Sequence, residues 1–224
     1  MARHHDRYPA ASAAGLLLLG LALFLPMLGA SFAYDDMDCL NYAADVLAGR
    51  KGYWAVVFQP HMEHVVALLR IAAHGFLACC GLRAWPFRLL VFGAHVATAW
   101  LLGLAARACG GSSVAGWAAG VAYLLPGTAA LTMVVQMAGA PFPMGLAALA
   151  AALALLACRP RGGGGRARLL AAACGWLAVG WESSLVPFLA TPLLFDLYQQ
   201  RGRWQAASAT AAATPRAGAA PPPT

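Results

Sequence analysis

The stretch AASAAGLLLLGLALFLPMLGASFA, residues 10–33, followed at once by YDDMD, residues 34–38, decides the fold. Its first part carries no charge for 24 residues, about the length that crosses a bilayer core as a helix. Its second part sets Asp35, Asp36 and Asp38 at the end of that run. Five of the chain's eight acidic residues lie between Asp35 and Glu63, and the remainder of the chain is nearly free of acids. Carboxylates gathered at one membrane boundary are costly to place there, which makes them candidates for chemistry.

Working outward, the composition excludes an ordinary soluble domain: 61% of the residues are hydrophobic, 10% are charged, and 24 are glycine. An integral membrane protein is expected. The net charge of +7 would suit a nucleic-acid binder, but the fifteen Lys and Arg come as short groups between apolar runs. That distribution is a topology signal, because cytoplasmic loops collect Arg and Lys, and no nucleic-acid partner is expected. Cys39, Cys79, Cys80, Cys109, Cys158 and Cys174 show no C-x-x-C spacing, so neither a disulfide framework nor a zinc knuckle is expected.

Arg3, His4, His5 and Arg7 precede the apolar run. They place its start in the cytoplasm, and the run exceeds the roughly 7 to 15 residues of a signal-peptide core, so it reads as an uncleaved first helix. Asp35, Asp36 and Asp38 then face the outer, periplasm-like side. From Met37 to Gly49 the spacing is helical, with Leu40, Ala44 and Leu47 on one side and Asp38, Asn41 and Asp45 on another. This segment is too short to span, so an interfacial amphipathic helix is expected, stopped by Gly49-Arg50-Lys51-Gly52. After an aromatic link from Tyr53 to Phe58, Pro60 opens a second juxtamembrane helix, His61 to Gly81, in which Glu63, Arg70 and His74 share a stripe.

The next spans are expected at Leu89 to Ala106, at Val114 to Val135 with Ser112-Ser113 as its cap, and at 144–158. Arg159 to Arg168 reads as a flexible cytoplasmic loop with four arginines. Residues 169–198 read as a hairpin of two short helices turning near Gly180-Trp181-Glu182-Ser183-Ser184, which keeps Arg201 and Arg203 inside. The organisation expected is an all-α polytopic transmembrane helix bundle, multi-pass in the inner cell membrane with its N-terminus cytoplasmic. It has about six spans over residues 1–204 and an outer loop at 34–88 that carries the juxtamembrane amphipathic helices. Residues 205–224, rich in Ala and Pro, read as a disordered tail.

Three elements in this order carry a resemblance. They are the acidic pair after the first span (Tyr34-Asp35-Asp36), the histidine-led segment from Pro60-His61 through Phe76 to Gly81-Leu82, and the late motif Gly180-Trp181-Glu182-Ser183-Ser184-Leu185-Val186-Pro187. Over residues 10–200 the chain resembles, in order and spacing, the polyprenol-dependent membrane glycosyltransferases of the GT-C superfamily. It departs from them where Met62-Glu63-His64 replaces the prolines that often follow the histidine, and where Trp181 replaces the lysine that usually precedes the late acid. Family members are typically longer, so the chain reads as the N-terminal part of a larger enzyme. The resemblance implies a GT-C-like fold and an inverting transferase working among membrane lipids. Its partners would be a lipid-linked sugar donor, a polyprenyl phosphate, at the outer leaflet and an acceptor on a lipid, glycan or protein. Asp35 or Asp36 matches the general base, His61 the start of the juxtamembrane helix, and Glu182 the acid of the late motif.

Inverting transfer needs a carboxylate within hydrogen-bond reach of the acceptor hydroxyl. The leaving group is already a phosphate and needs positive charge rather than a proton, and Arg50, Lys51, Arg83 and Arg88 lie on the expected outer side. Asp38, His61, Glu63, His64, Arg88 and Glu182 are the expected substrate- and donor-binding residues. His61 and His64 with Asp38 could hold a divalent cation, magnesium or manganese; without an H-E-x-x-H motif a zinc protease is not expected. The plainer alternatives are a solvated cap for the acids and headgroup-level polar groups for the histidines. Rival functions are a transporter or channel-like subunit with Glu182, Asp35 and Asp36 along its path, and a non-catalytic scaffold. No internal repeat of the transporter kind is present.

Overall fold

The computed structural model describes residues 8–28, 35–60, 66–109, 111–134, 141–158, 165–181, 185–186 and 190–213. Among them the chain is all-α, with nine helices and no strand: α1 (Tyr8–Leu28), α2 (Asp35–Leu47), α3 (Tyr53–Val57), α4 (Ala67–Cys80), α5 (Trp85–Ala108), α6 (Ser113–Val134), α7 (Pro141–Ala157), α8 (Gly165–Trp181) and α9 (Ala190–Ala213). Only α5 is, over its described residues, long and apolar enough to cross a membrane. Ala11–Leu25, Ala67–Cys80, Ser113–Leu125 and Pro143–Ala157 are apolar but shorter.

α5 organises the bundle by packing against α1, α6 and α7, while α7 carries α8 and α9 on its other sides. Pro86 sits in the first turn of α5, where its missing N–H removes no helical bond. Phe24 packs on Phe92 while Leu16 packs beside Ala99, so α1 and α5 run antiparallel. His95 meets Tyr123 across a 3.1 Å hydrogen bond and Gly120 faces Ala99, which sets α6 antiparallel to α5 as well. A Cβ at Gly120 would lie 3.0 Å from both the Ala99 carbonyl oxygen and Leu16 Cδ1, so three helices close on a residue with no side chain. The expected cap is present: Ser112 Oγ accepts from the Ala115 N–H at 3.2 Å. His95 ties α5 to α6 and lies 5.2 Å from the Phe24 ring of α1.

Several sequence expectations change: α4 begins at Ala67, not near His61, and α7 begins at Pro141, not at 144. α2 buries Asp36, Cys39, Leu40 and Ala43 and leaves Leu47 exposed, so its inward stripe is rotated from the Leu40, Ala44, Leu47 face. The reason is that α2 packs on α4 and draws Asp36 inward, instead of laying its most apolar line on a surface. The aromatic link contains the short helix α3. The basic loop is shorter than expected, because α8 begins at Gly165 and takes Arg166 and Arg168 with it. α9 continues to Ala213, so the first part of the Ala-rich tail is helical. Residues 169–198 fall in two separate helices, α8 and α9, as expected, and α9 at 24 residues is longer than the short helix expected.

α2 ends as its sequence requires. Gly49 takes φ +70, a left-handed conformation that glycine adopts without strain, and its N–H bonds the Val46 carbonyl at 3.0 Å. The chain then folds back so that Arg50 Nη2 lies 2.7 Å and Lys51 Nζ 3.0 Å from the two oxygens of Asp45. Hydrogen bonds from Lys51 and Arg50 hold the Asp45 carboxyl below its ordinary 3.8. A lowered native value means that this stabilisation is complete above 3.8 and is lost as pH falls through the lower native value. Protection of the Arg50 and Lys51 amides, corrected for the intrinsic exchange rate, is therefore expected to fall as the pH is taken below 3.8, and Asp45→Asn should show the low protection at every pH.

Candidate functional site

The buried face of α2, the start of α5, the middle of α4 and the end of α8 meet in one apolar cluster: Cys39, Leu40, Val66, Leu69, Ala73, Phe87 and Val91, with Trp181 packed against it. Polar groups sit along its edge. Asp36, one turn before Leu40, is fully buried at 0% exposure, and Arg88, next to Phe87, is 4% exposed. The Asp36 carboxylate acts electrostatically on the Arg88 guanidinium. At low effective dielectric such opposite charges attract strongly, and their mutual field offsets part of the cost of burying each.

Arg70, next to Leu69 on α4, is 3% exposed. Its guanidinium lies 4.3 Å from the centre of the Tyr42 ring, and none of its nitrogens has a hydrogen-bond partner. Tyr42 also lies beneath Lys51 Nζ at 4.7 Å, and its hydroxyl accepts from Gln59 at 3.4 Å. One turn on from Arg70, His74 stands edge-on to the Tyr53 ring at 5.2 Å, with Nδ1 buried and unpartnered.

The expected site residues divide as follows. Asp36 and Arg88 are brought together. Asp38 is exposed on the opposite side of α2. The Asp35 side chain, and His61, Glu63, His64 and Glu182 entirely, lie outside the described residues. Of the cations expected on the outer side, Arg50 and Lys51 are engaged by Asp45, and Arg83 is exposed. The late motif does reach this cluster: a Cβ at Gly180 would lie 2.9 Å from Leu68 Cδ1 on α4, so glycine lets α8 approach, and Trp181 completes the apolar wall. Trp181 thus supplies packing at this end of α8.

Among the described residues no three His, Cys, Asp or Glu side chains stand close enough to hold a metal ion. Asp38 is exposed, and the other two expected ligands, His61 and His64, lie outside the described residues. Two cavities lie far from Asp36. One, of about 310 Å³, is walled by Leu156, Gly175, Trp176 and Pro192, with Arg168 and Asp196 also lining it. A second, of about 640 Å³, is lined by Trp100, Leu104, Leu155 and Arg166. Leu104 is about 24 Å along α5 from Arg88 by the helical rise, so these cavities belong to the other end of the bundle. Asp196 accepts from Arg168 Nε at 3.0 Å and from Gln200 Nε2 at 2.7 Å, which makes it an α8–α9 clasp.

Sequence reasoning placed Arg70 and His74 on one stripe but gave them no role at the site, and it passed over Tyr42. The available signal was an arginine and a histidine four residues apart inside a segment otherwise apolar from Ala67 to Cys80. The chain matches no family model, no curated protein and no solved structure.

Proposed function

We propose that the chain is a polytopic, membrane-embedded glycosyltransferase of the GT-C type, with Asp36 as its acceptor base at the outer membrane face. The observation that carries this is the convergence of three sequence-distant elements on one buried cluster: the acidic start of α2, the α4 segment and the Gly180-Trp181 end of α8. At that cluster Asp36 lies in the field of Arg88. The lipid setting is supported by the outward faces of the helices. Leu18 and Leu25 on α1, Leu89 on α5, Leu169 and Trp176 on α8, and Leu193 and Leu194 on α9 are all exposed, large apolar side chains that lipid would cover.

In this reaction the start of α2 moves to admit the acceptor to the buried carboxylate, and Asp36 removes the proton of its hydroxyl as the oxygen attacks the anomeric carbon from the side opposite the phosphate. The carbon–oxygen bond to the phosphate breaks, its electron pair leaves on the polyprenyl phosphate, and the anomeric configuration inverts. Arg88 orients the carboxylate and supplies positive potential near the developing phosphate charge.

The test is transfer from labelled polyprenyl-phosphate sugars by membranes containing the chain, expressed per mole of folded protein. Asp36→Asn is expected to lower transfer by about two to four orders of magnitude, the range for a lost general base, and Asp38→Asn to leave it within a few-fold. Equal rates for the unmodified chain and Asp36→Asn, or no transfer by either, would contradict the proposal.

A further inference from the structure

At the end of the bundle away from Asp36, a groove of about 640 Å³ opens between α5, α7 and α8, a size within the roughly 300–1,000 Å³ of small-molecule sites. Trp100, Leu101 and Leu104 of α5, Leu155 of α7 and Leu170 of α8 make its walls apolar. The lining from α5 and from α7 comes in both cases from the C-terminal half of the helix, so these two helices run parallel and end together. At that end the walls turn basic. Arg166, in the first turn of α8, lines the groove and is exposed. Arg107, in the last turn of α5, lies three residues beyond Leu104 on the same helix face. Its charge reaches the thiol of Cys158, which also lines the groove. No Asp or Glu occurs in the sequence between Glu63 and Glu182, and Asp196 of α9 is engaged by Arg168 and Gln200. Arg166 also stands at a helix N-terminus, where the macrodipole opposes a cation and favours an anion.

A groove that is apolar along its length and cationic at one end is complementary to an anionic amphiphile. We infer that this groove binds an anionic phospholipid of the surrounding membrane, with an acyl chain along Leu101, Leu104, Leu155 and Leu170 and the headgroup phosphate at Arg107 and Arg166. Guanidinium groups suit a phosphate because their parallel N–H groups match its oxygens in pairs. Basic pockets between helices on the cytoplasmic side select acidic lipids in the same way, and the basic turn before α8 is on that side in the proposed topology. The lipid is a resident of the membrane and not a reactant: Leu104 is about 24 Å along α5 from Arg88, too far for a molecule in this groove to meet Asp36. The inference rests on the membrane setting of the proposed function and is independent of sugar transfer.

The test uses the full chain purified in neutral detergent, titrated with fluorescently labelled phosphatidylglycerol in one arm and phosphatidylcholine carrying the same label in another. Phosphatidylglycerol is expected to bind about 30-fold more tightly, about fivefold for each arginine, and added salt should narrow the gap. Arg107→Gln with Arg166→Gln should abolish the preference and leave phosphatidylcholine binding unchanged, which reads the fold as intact. Arg166→Gln alone alters only an exposed side chain, folds as the unmodified chain does, and should lower the preference about fivefold. Leu104→Trp, which fills the groove, should weaken both lipids. Glycerol phosphate carries the headgroup charge without chains and should compete only at concentrations about a hundredfold above those of the lipid. Equal affinity for the two lipids, or a preference that survives both Arg166→Gln and the double substitution, would overturn the inference. Competition by glycerol phosphate at the lipid's own concentration would overturn the lipid source. A chain that stays dispersed without detergent would overturn the membrane setting and this site with it, whereas a chain that needs detergent and binds both lipids alike would overturn this site alone.

Discussion

Asp36→Asn is expected to destabilise the fold by about 3 kcal/mol, because removing one member of a buried opposite-charge pair leaves the other charged and uncompensated. Arg88 lies on the first turns of α5 beside Phe87, 4% exposed, and has no solvent to turn to when the carboxylate is gone. Arg88→Met should cost a similar amount for the converse reason. Replacing both, as Asp36→Leu with Arg88→Met, removes the two desolvation penalties together. The double variant is therefore expected to be more stable than either single one, with a coupling above about 1 kcal/mol. Denaturant titration in mixed micelles reads all three. Additive losses would show that Asp36 and Arg88 act independently and that their proximity does not organise the site.

The second large effect is expected at the crossing of α1, α5 and α6. Gly120→Leu must place a Cβ where the Ala99 carbonyl oxygen and Leu16 Cδ1 each stand 3.0 Å away. The leucine of α1 can shift by a few tenths of an ångström, but the α5 carbonyl is held by its own helix. Overpacking of this kind costs about 1–3 kcal/mol even where a core can adjust, and the rest of the side chain must still find room between Leu16 and Ala99. The helices should separate locally, and with them the His95–Tyr123 hydrogen bond one turn away. Gly120→Ala should cost less than Gly120→Leu in the same denaturation measurement; equal stability of all three proteins would contradict the packing described.

Much of this architecture is legible in the sequence, because uncharged runs and their basic or glycine ends are strong local signals. α5, expected at Leu89 to Ala106, extends to Trp85–Ala108; the early start follows from Pro86, which suits the first turn of a helix. The division of residues 169–198 into two helices is expected from a topology argument about Arg201 and Arg203, and α8 and α9 are indeed separate. The phase of α2 is not legible, since Leu40, Ala44 and Leu47 and the observed Asp36, Cys39, Leu40, Ala43 are both helical stripes. Only the packing of α4 and the charge of Arg88 choose between them. The burial of Arg70 is hidden for a similar reason: a sequence shows an arginine in an apolar helix but not which neighbours cover it. Arg168 read as part of a flexible loop because glycines precede it, while its fixed position comes from Asp196, 28 residues away.

The transferase proposal depends on the α2 acids standing outside the membrane and the basic turn before α8 standing inside. Single cysteines placed in a cysteine-free chain test this directly, because Asp38 and Arg166 are both exposed in the structure and lie toward opposite ends of the bundle. In cells labelled with a membrane-impermeant maleimide, Asp38→Cys is expected to react from outside and Arg166→Cys only after permeabilisation. Reaction of both from the same side, or of Asp38→Cys only after permeabilisation, would contradict the account.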